Sequence, residues 1–508
     1  MAKIFSDGKS LTIKDVVCVA REMAEVALTD NAVLAINHSR EYVEKLVNEK
    51  RTVYGVTTGF GEFSKVSIPV DQVAELQRNL IVSHACGVGR LLPIDVVRAM
   101  MLLRVNALAT GFSGIRLSVI QTLIDMLNAG ITPAVPEKGS LGASGDLTPL
   151  SHMVLPLIGL GEAFYQGKLM PGGEAMAKAG IKPVELVAKE GLALVNGTQA
   201  MTAIGALTTY DAGNLMKLAD ISAALTTEAL NGITDAYSPA LHALRPHIGQ
   251  MTVAGNMLKI LADSQMVTHQ SQLRVQDAYS LRCVPQIHGA SRDALSFVEE
   301  KLSIEINSVT DNPIIFADDD MVVSGGNFHG QPVALAFDFL AIALSEIANV
   351  AERRIERLVN PTLSGLPAFL TKQGGLNSGF MIAQYSAAAL VSENKILAHP
   401  ASVDSIPSSA GQEDHVSMGT IGARKAAEVL FNVKKVIAIE MVTAAQAIDL
   451  NPNRKELGKG TGIAYEAIRQ KVSTLESDRE LYLDFEKISE LVDANTIVDA
   501  VEHAIGQL

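Results

Sequence analysis

The segment PVALAFDFLAIALSEIANVAERRIERLV, residues 332–359, contains no glycine and no proline after its first residue. Pro332 suits the first turn of a helix, and Asn360-Pro361 ends the pattern. The segment therefore predicts one helix about 42 Å long at ~1.5 Å per residue. Its apolar residues recur mostly at spacings of three and four, as on one face of a helix: Leu335, Leu340, Leu344, Ile347, Val350, Ile355 and Leu358.

Two more segments of the same kind predict long helices, near 378–398 and from about 416 to 450. Both are rich in alanine and apolar on more than one face. Helices of this kind belong inside a bundle or at an interface between subunits. Strand patterns are short, at 313–316 and 321–323. The predicted fold class is therefore mainly α.

The predicted organisation has two parts. Residues 1–205 are less regular and form an N-terminal domain that carries a glycine-rich loop. Residues 206–508 form a long central helical bundle that also serves oligomerisation. A multi-subunit assembly is expected, because few surfaces of these helices are polar enough to face water.

The charge balance excludes several classes of function. The chain of 508 residues has 42 basic and 55 acidic residues, a formal net charge of −13, and no basic stripe. Nucleic-acid binding is therefore not expected. The first residues, MAKIFSDGKSLTIKDV, lack the apolar core of a signal peptide. The longest charge-free run, 191–210, contains too many polar residues and glycines to span a bilayer well. We expect a cytoplasmic protein without a membrane partner.

The cysteines predict a reducing compartment. There are three, Cys18, Cys86 and Cys283, and none has CxxC spacing. An odd number without that spacing argues against a disulfide framework and against a zinc site. We expect no metal, and we expect all three cysteines to be small buried hydrophobes.

The stretch GSLGASGDLTPLSH, residues 139–152, places Ser144 between Ala143 and Gly145. Thr148-Pro149 predicts an N-cap followed by a first-turn proline, so a helix should begin just after the loop. Ser144 is then on a tight loop at a helix N-terminus, where N–H groups are free and the helix dipole is positive.

Two familiar motifs match this chain poorly, one around Ser144 and one in the first ten residues. The hydrolase elbow G-x-S-x-G requires a glycine where Asp146 stands, and His152, eight residues on, defines no triad. A serine hydrolase is therefore a weak alternative. Gly8-Lys9-Ser10 resembles the end of a P-loop, but Lys3 occupies the place of the first glycine.

Another chemistry suits Ala-Ser-Gly better. If the backbone nitrogen of Gly145 attacks the carbonyl carbon of Ala143, a five-membered ring closes. Glycine favours this because its nitrogen is unhindered and its backbone is permissive. Loss of water from Ser144 then leaves an exocyclic methylene, which is an electrophile made from the chain itself.

The stretch 139–152 resembles the signature of the aromatic amino acid ammonia-lyases, and the resemblance covers nearly the whole chain. It implies a homotetramer of long helices whose active sites are each built from three subunits. It also implies that no external cofactor is needed. The other stretches that carry it, in the family's order, are YGVTTGFG (54–61), NLIVSHACGVG (79–89), EGLALVNGTQ (190–199), QDAYSLRCVPQ (276–286), SGGNFHG (324–330), GLNSGFMIAQ (375–384) and SVDSIPSSAGQEDHVSMGT (402–420).

The resemblance implies which residues form the electrophile and which act on it. Ala143, Ser144 and Gly145 would form 4-methylidene-imidazol-5-one (MIO), whose methylene reacts with the substrate's α-amino group. Tyr54 resembles the family's candidate base for the β-proton, which requires stabilisation of a phenolate whose ordinary pKa is about 10. Asn196 resembles the residue that hydrogen-bonds the MIO ring.

Further residues are expected to bind and shield the substrate. Arg282 resembles the clamp for the substrate carboxylate, a role suited to a planar, permanently charged fork. Tyr279 and Gln276 should line the site. Phe328 should keep water from the electrophile, and Met381 should pack against the substrate ring.

The choice of substrate depends on two residues. Ser83-His84 resembles the pair of the histidine-specific members, and Glu413 would accept the N–H of an imidazole. The expected reaction converts L-histidine to trans-urocanate and ammonia, the first step of histidine degradation. Glu413 also fits a capping residue ahead of the long helix, and the two roles are compatible. The alternatives are a tyrosine ammonia-lyase or tyrosine 2,3-aminomutase and, in another class, a non-catalytic helical scaffold.

One position departs from the family pattern. The family usually has asparagine before Gln-Glu-Asp, where this chain has Gly411. The departure bears on the local hydrogen bonding that orients Gln412 and Glu413.

Overall fold

The structure, a computed structural model, describes residues 3–49, 51, 53–55, 58–59, 68–69 and 72–508. Over these residues the chain is mainly α, as predicted. The helices before residue 199 are α1 (Ile13–Arg21), α2 (Asp30–Asn48), α3 (Val73–His84), α4 (Ile94–Ala109), α5 (Leu117–Asn128), α6 (Leu147–Val154), α7 (Gly172–Lys178) and α8 (Glu190–Val195). The later helices are α9 (Gln199–Ala229), α10 (Pro239–Ala243), α11 (Ile248–Ile260), α12 (Tyr279–Arg282), α13 (Val284–Glu305), α14 (Gln331–Val359), α15 (Pro361–Ser364), α16 (Met381–Leu397), α17 (Gly419–Leu450), α18 (Lys459–Lys471), α19 (Leu481–Asp493) and α20 (Thr496–Ile505).

The three long helices predicted from periodicity are confirmed. Helix α14 spans the predicted segment and begins one residue earlier, with Pro332 in its first turn. Helices α16 and α17 each begin three residues later than predicted and end within one residue of the predicted end. Helix α14 is long and apolar enough to cross a membrane, but 67% of its most apolar window is buried inside the protein, as in a core helix.

The strands are short and form small ribbons. A parallel pair joins β1 to β2, antiparallel pairs join β3 to β5 and β8 to β9, and β4-β6-β7 is an antiparallel sheet. The predicted strand patterns at 313–316 and 321–323 are confirmed as the last two strands, paired with Ile315 opposite Val322. The strands are β1 (Lys3–Ser6), β2 (Glu25–Leu28), β3 (Val88–Leu91), β4 (Thr132–Pro133), β5 (Pro136–Lys138), β6 (Glu162–Tyr165), β7 (Lys168–Pro171), β8 (Ile314–Phe316) and β9 (Met321–Val323).

The chain forms two compact units that are not continuous in sequence. The first contains residues 1–210, 299–338 and 400–424, and the second contains 211–298, 339–399 and 425–508. This grouping differs from the contiguous division into 1–205 and 206–508, because two later segments join the first unit. The boundary at 205 stays a prediction about the organisation of the chain.

The core of the first unit is organised around α4. This helix is buried on nearly every face and packs against α1 and α5. Two arginines inside it, Arg98 and Arg104, are fully buried. Arg98 donates to the carbonyl groups of Val19 and Leu127, so its buried guanidinium is hydrogen-bonded to backbone acceptors.

The second unit, whose residues are all described, contains helices and no β-strand. A buried polar network joins four of its helices. His288 of α13 lies 2.8 Å from Asp220 of α9, and Arg354 of α14 forms a two-pronged ion pair with Glu440 of α17. Burial lowers the pKa of His288. The network fixes the relative position of these helices, because each buried polar group needs its partner.

The cysteine prediction is partly wrong. All three cysteines are free, as expected, but Cys86 is exposed, and Cys18 and Cys283 are only partly buried. Cys18 lies in α1, Cys86 follows α3, and Cys283 lies between α12 and α13. None of the three is a core residue.

Candidate active site

The reaction loop, residues 139–146, folds back on itself. Gly142, Ser144 and Gly145 all have positive φ, at +87°, +51° and +76°. Gly142 and Gly145 form an antiparallel bridge, so Ala143 and Ser144 stand at the tip of a tight turn. The prediction that Ser144 lies on a tight loop before a helix is confirmed.

Gly145 is required by its surroundings as well as by its backbone angle. It forms a parallel bridge with Gly197, and Gly197 N–H donates to Ser144 O at 3.2 Å. A Cβ on Gly145 would stand 2.1 Å from the carbonyl oxygen of Gly197, a distance that real Cβ atoms do not show. Only glycine therefore allows the backbone at Gly145 to lie against Gly197.

Asp146 anchors the end of the loop. Its carboxylate is fully buried and accepts from Ser140 Oγ at 2.9 Å, from Met201 N–H at 2.8 Å and from Thr420 Oγ1. Burial raises the pKa of Asp146, and these hydrogen bonds oppose the increase. Its own N–H donates to Gly197 O at 2.7 Å. Asp146, which stands where the hydrolase elbow motif requires a glycine, thus holds the loop in place.

The predicted N-cap at Thr148 is wrong. Helix α6 begins at Leu147, so Thr148 and Pro149 are inside its first turn. A proline is tolerated there because first-turn N–H groups need no helical partner. Asp146 precedes the helix but makes no side-chain cap, since its carboxylate is taken by partners distant in sequence.

Asn196 lies at the C-terminal end of α8, directly before Gly197. It is 2% exposed, and its Nδ2 donates to Asn312 O at 3.0 Å and to Asp311 Oδ1 at 3.3 Å. Its Oδ1 is buried and has no hydrogen-bond partner among the described residues. An unsatisfied buried acceptor beside the reaction loop is suited to a ligand or a reacting group.

Arg104 of α4 supports the same end of α8. Its guanidinium donates to Ala193 O at 2.8 Å, to Asn196 O at 2.9 Å and to the side chain of Gln199. Burial lowers the pKa of Arg104 to about 10, and the negative charges of Asp311 and Asp146 oppose that decrease. Arg104 therefore stays protonated at neutral pH and fixes the backbone of Asn196.

Phe328 lies on a turn attached to the same region. Asn312, which accepts from Asn196, also accepts from Gly325 N–H at 2.8 Å through its own side chain. Phe328 itself is half-buried. The structure thus brings the turn that carries Phe328 next to the segment that holds Asn196, and its shielding role stays a prediction.

His84 and Glu413 are close enough to interact electrostatically. His84 is the last residue of α3 and is half-buried, and Ser83 Oγ lies 3.0 Å from its Nδ1. Burial lowers the pKa of His84, and the negative charge of Glu413 opposes the decrease. The two side chains predicted to recognise an imidazole therefore share one region of the first unit.

Glu413 is held by its own loop. Its backbone bridges Ser408, whose N–H donates to Glu413 O at 2.9 Å, and Ser408 Oγ donates to Glu413 Oε2 at 3.3 Å. The alternative that Glu413 caps the long helix is wrong, because α17 begins six residues later at Gly419.

The departure at position 411 is compatible with this loop. Gly411 has φ +88°, and no atom lies within 4 Å of a Cβ placed on it. Glycine and asparagine are the two residues that most readily adopt left-handed backbone angles. The exchange of one for the other therefore leaves the turn before Glu413 unstrained.

Tyr54 belongs to the described residues 53–55 and is half-buried. Val56, Thr57, Phe60 and Gly61 of the same motif lie outside the described residues. The role of Tyr54 as the base therefore stays a prediction.

Four predicted site residues belong to the second unit. Gln276 and Tyr279 are exposed, the latter by 69%. The Arg282 guanidinium carbon lies 4.6 Å from the centre of the Tyr279 ring, a cation–π contact. Arg282 Nε is buried and has no partner among the described residues. Met381 is the half-buried first residue of α16. Their membership in one site with the reaction loop stays a prediction.

The fold and the reaction loop define a carbon-nitrogen lyase of the aromatic amino acid type. The profile described as "Aromatic amino acid lyase" matches residues 11–470, and the chain belongs to that family. A curated relative from Alkaliphilus oremlandii named histidine ammonia-lyase is 62% identical over 505 residues, 99% of each chain.

Two solved structures have the same fold. The histidine ammonia-lyase of Trypanosoma cruzi aligns with a TM-score of 0.92 and 43% identity, covering 99% of this chain and 96% of that one. A tyrosine aminomutase from Streptomyces globisporus aligns with a TM-score of 0.96 and 40% identity over the whole of both chains. The family and the mainly α fold predicted from the sequence are confirmed.

Sequence reasoning missed the buried charges that support the loop: Asp146, Arg104, Lys189 and Asp311. A signal existed for Arg104, which is a single cation in the apolar run MMLLRVNALA at 100–109. Such a residue is buried only when it is paired or hydrogen-bonded. Its partners cannot be identified from the sequence, since they are about 90 residues away along the chain.

Proposed function

We propose that this protein is an ammonia-lyase that converts L-histidine to trans-urocanate and ammonia, the first step of histidine degradation. The observation that carries the proposal is the reaction loop, in which Ala143 and Ser144 form the tip of a turn closed by Gly145 against Gly197. The relatives named histidine ammonia-lyase support the substrate.

The residues of the loop fit the MIO group. Gly145 has no side chain and is packed against Gly197, the turn is tight, and the buried Oδ1 of Asn196 is without a partner among the described residues. Ala143, Ser144 and Gly145 would form the group, and Asn196 would lie beside it. When formed, MIO supplies an electrophile that makes the α-amino group a better leaving group.

The chain's own residues would perform the elimination around that group. Tyr54 takes the proton from the β-carbon, the electrons of that C–H bond form the carbon–carbon double bond, and the C–N bond breaks to release ammonia. Arg282 holds the substrate carboxylate through its two-pronged guanidinium. Phe328 excludes water from the electrophile.

Recognition of histidine would depend on His84, Glu413 and Met381. Glu413 accepts the imidazole N–H, His84 exchanges a hydrogen bond with the ring, and Met381 packs against its face. A benzene ring would leave the Glu413 carboxylate desolvated and unpaired. Tyrosine brings a hydroxyl instead, and the likeness to a tyrosine aminomutase makes tyrosine the competing substrate.

We further propose a homotetramer in the cytoplasm, with each site built from three subunits. The exposure of Gln276 and Tyr279 supports this, because residues that bind a substrate in a closed site are exposed in one chain when a second copy completes the site. Light scattering in solution measures the assembly; a monomer with full activity would contradict it.

Two measurements test the function. Intact mass should be lower than the sequence mass by two waters, and the deficit should map to the peptide that contains Ser144. Incubation with L-histidine, L-tyrosine and L-phenylalanine, followed by ultraviolet absorbance and by chromatography for β-amino acids, identifies substrate and product. No urocanate from L-histidine would contradict the histidine assignment, a β-amino acid product would establish an aminomutase, and a full mass would exclude MIO.

A further inference from the structure

Lys189 is a fully buried lysine in a strained backbone conformation, and no predicted role uses it. It precedes α8 with φ +74° and ψ −23°, angles that a residue with a side chain rarely adopts. Its Nζ lies 2.7 Å from Asp311 Oδ2, and Asp311 is 2% exposed on its side chain. A strained residue that also holds a buried charge indicates a structural requirement at this point.

Asp311 connects both ends of α8. Its Oδ2 accepts from Lys189, which precedes the helix, and its Oδ1 lies 3.3 Å from Nδ2 of Asn196, which follows the helix. Oδ1 also accepts from Asn312 N–H at 2.6 Å. One carboxylate therefore determines where the helix starts and how the side chain at its end is oriented.

This arrangement determines which atom of the Asn196 amide is available. The two partners of Nδ2 are the Asp311 carboxylate and the Asn312 carbonyl, and both groups only accept hydrogen bonds. The amide therefore cannot reverse, and its unpartnered atom is the acceptor Oδ1.

We propose that the Lys189–Asp311 ion pair is a positioning device that holds the Asn196 amide with Oδ1 available as an acceptor beside the reaction loop. Lys189 donates to Oδ2 of Asp311, and Oδ1 of Asp311 orients Asn196. The donor that an amino acid substrate offers to such an acceptor is its amino group. The inference rests on the proposed function, since it assigns a role to Asn196 in that reaction.

The principal test is the double variant Lys189→Met/Asp311→Asn, which removes both charges and leaves no unpaired ion in the core. We expect the two-water mass deficit to remain, KM for L-histidine to change by less than about threefold, and kcat to fall by about 10- to 100-fold, the range found for hydrogen-bonding partners behind metal ligands. Wild-type kcat in the double variant, or loss of the mass deficit, would overturn the proposal.

A matched control separates orientation of Asn196 from support of α8. Arg116 pairs with Glu190, the first residue of the same helix, at 2.6 Å, and Glu190 is fully buried. The variant Arg116→Met/Glu190→Gln should lower the denaturation temperature and leave kcat within about twofold, because this pair makes no contact with Asn196 that the structure records. An equal loss of kcat in both double variants would mean that the ion pair only supports the helix.

A double-mutant cycle tests whether Asp311 acts through Asn196. If it does, Asp311→Asn lowers kcat in the wild type and has no further effect in an Asn196→Ala background. Equal factors in both backgrounds would overturn the proposal. Should the charge-free variant fail to fold, Asp311→Glu keeps the ion pair but displaces the carboxylate, and an unchanged kcat there would overturn it as well. An inactive wild type would instead contradict the proposed function.

Discussion

The reaction loop and the recognition segments, defined as residues 276–282 and 408–413, are held in opposite ways. The loop is tied to buried partners: the Asp146 carboxylate accepts from Ser140 within the loop and from Met201 and Thr420 in distant parts of the chain, and Gly145 lies directly against Gly197. The recognition segments contain only two buried residues, Asp277 and Leu281, and Tyr279 is 69% exposed.

The difference separates the two proposed tasks of the molecule, formation of the electrophile and binding of the substrate. The proposed ring closure is a reaction of the chain with itself, and the loop residues and their partners Gly197, Met201 and Thr420 all belong to the first unit. The proposed substrate binding requires a surface that admits a small molecule, and the exposed residues Gln276 and Tyr279 meet that requirement. The predictions below test this contrast, from the largest expected effect to the smallest.

Ser144→Ala should abolish turnover of L-histidine, with a loss of more than about 1000-fold, because no electrophile forms without the serine hydroxyl. Mass spectrometry should then show the full sequence mass. Ser271→Ala is a suitable control, since Ser271 is an exposed serine that also has positive φ, at +66°. Near-wild-type turnover in Ser144→Ala would overturn the mechanism.

Gly145→Ala should lower turnover by more than about 100-fold and destabilise the fold by about 3 kcal/mol, because the new Cβ meets the Gly197 carbonyl. Gly167→Ala is the matched control: Gly167 has φ +74°, and nothing lies within 4 Å of its Cβ position. It should lose only about 1 kcal/mol from backbone strain. Equal losses of stability in both variants, measured by urea denaturation, would show that the contact with Gly197 is unimportant.

Arg282→Leu should lower kcat/KM for L-histidine by about 10- to 100-fold, mostly through KM, because a charge-assisted hydrogen bond to the carboxylate is lost. Arg282→Lys should lose less, since the charge remains without the fork. Arg454→Leu serves as the control, because Arg454 lies over the ring of Tyr465 in a similar cation–π contact. An unchanged KM in Arg282→Leu would contradict the proposed contact between Arg282 and the substrate carboxylate.

Glu413→Gln should lower kcat/KM for L-histidine by about tenfold, since a neutral amide accepts the imidazole N–H less strongly than a carboxylate does. The denaturation temperature should change little because Glu413 is half-buried on an exposed loop. Ser408→Ala, which keeps the backbone bridge and removes one contact to Glu413, should show a smaller loss. A parallel loss of stability and activity in Glu413→Gln would indicate a structural role.

The smallest effect concerns His152 on α6, whose Nε2 accepts from Gly87 N–H at 3.0 Å. Burial lowers the pKa of His152, so the unfolded chain binds a proton at this residue more readily than the folded chain does. Neutral His152 therefore stabilises the folded state above about pH 6.5, and this stabilisation is lost as pH falls. Denaturation temperature should therefore fall between pH 7 and pH 5. In His152→Gln, which can still accept through an amide oxygen, the fall should be shallower; identical pH curves would exclude His152.

The helices could be predicted from sequence, whereas the support of the site could not. Helix α14 was predicted within one residue because its pattern is local: no breaker for 27 residues and a regular apolar repeat. The start of α6 was misjudged because Thr148-Pro149 is a good local cap, while the observed start depends on Asp146, which is bound by Thr420 at a separation of 274 residues.

By itself, the sequence determined the mainly α fold and the family, and it supplied the candidates for the reacting tripeptide, Ala143–Gly145, and for histidine recognition, His84 and Glu413. All of these depend on local backbone preference or on a contiguous motif. Only the tertiary structure decided which groups bind the buried carboxylates: Met201 and Thr420 bind Asp146, and Lys189 and Asn196 bind Asp311. The physical reason is that buried polar groups must be satisfied, and their partners are supplied by the fold from segments more than 50 residues apart in the chain.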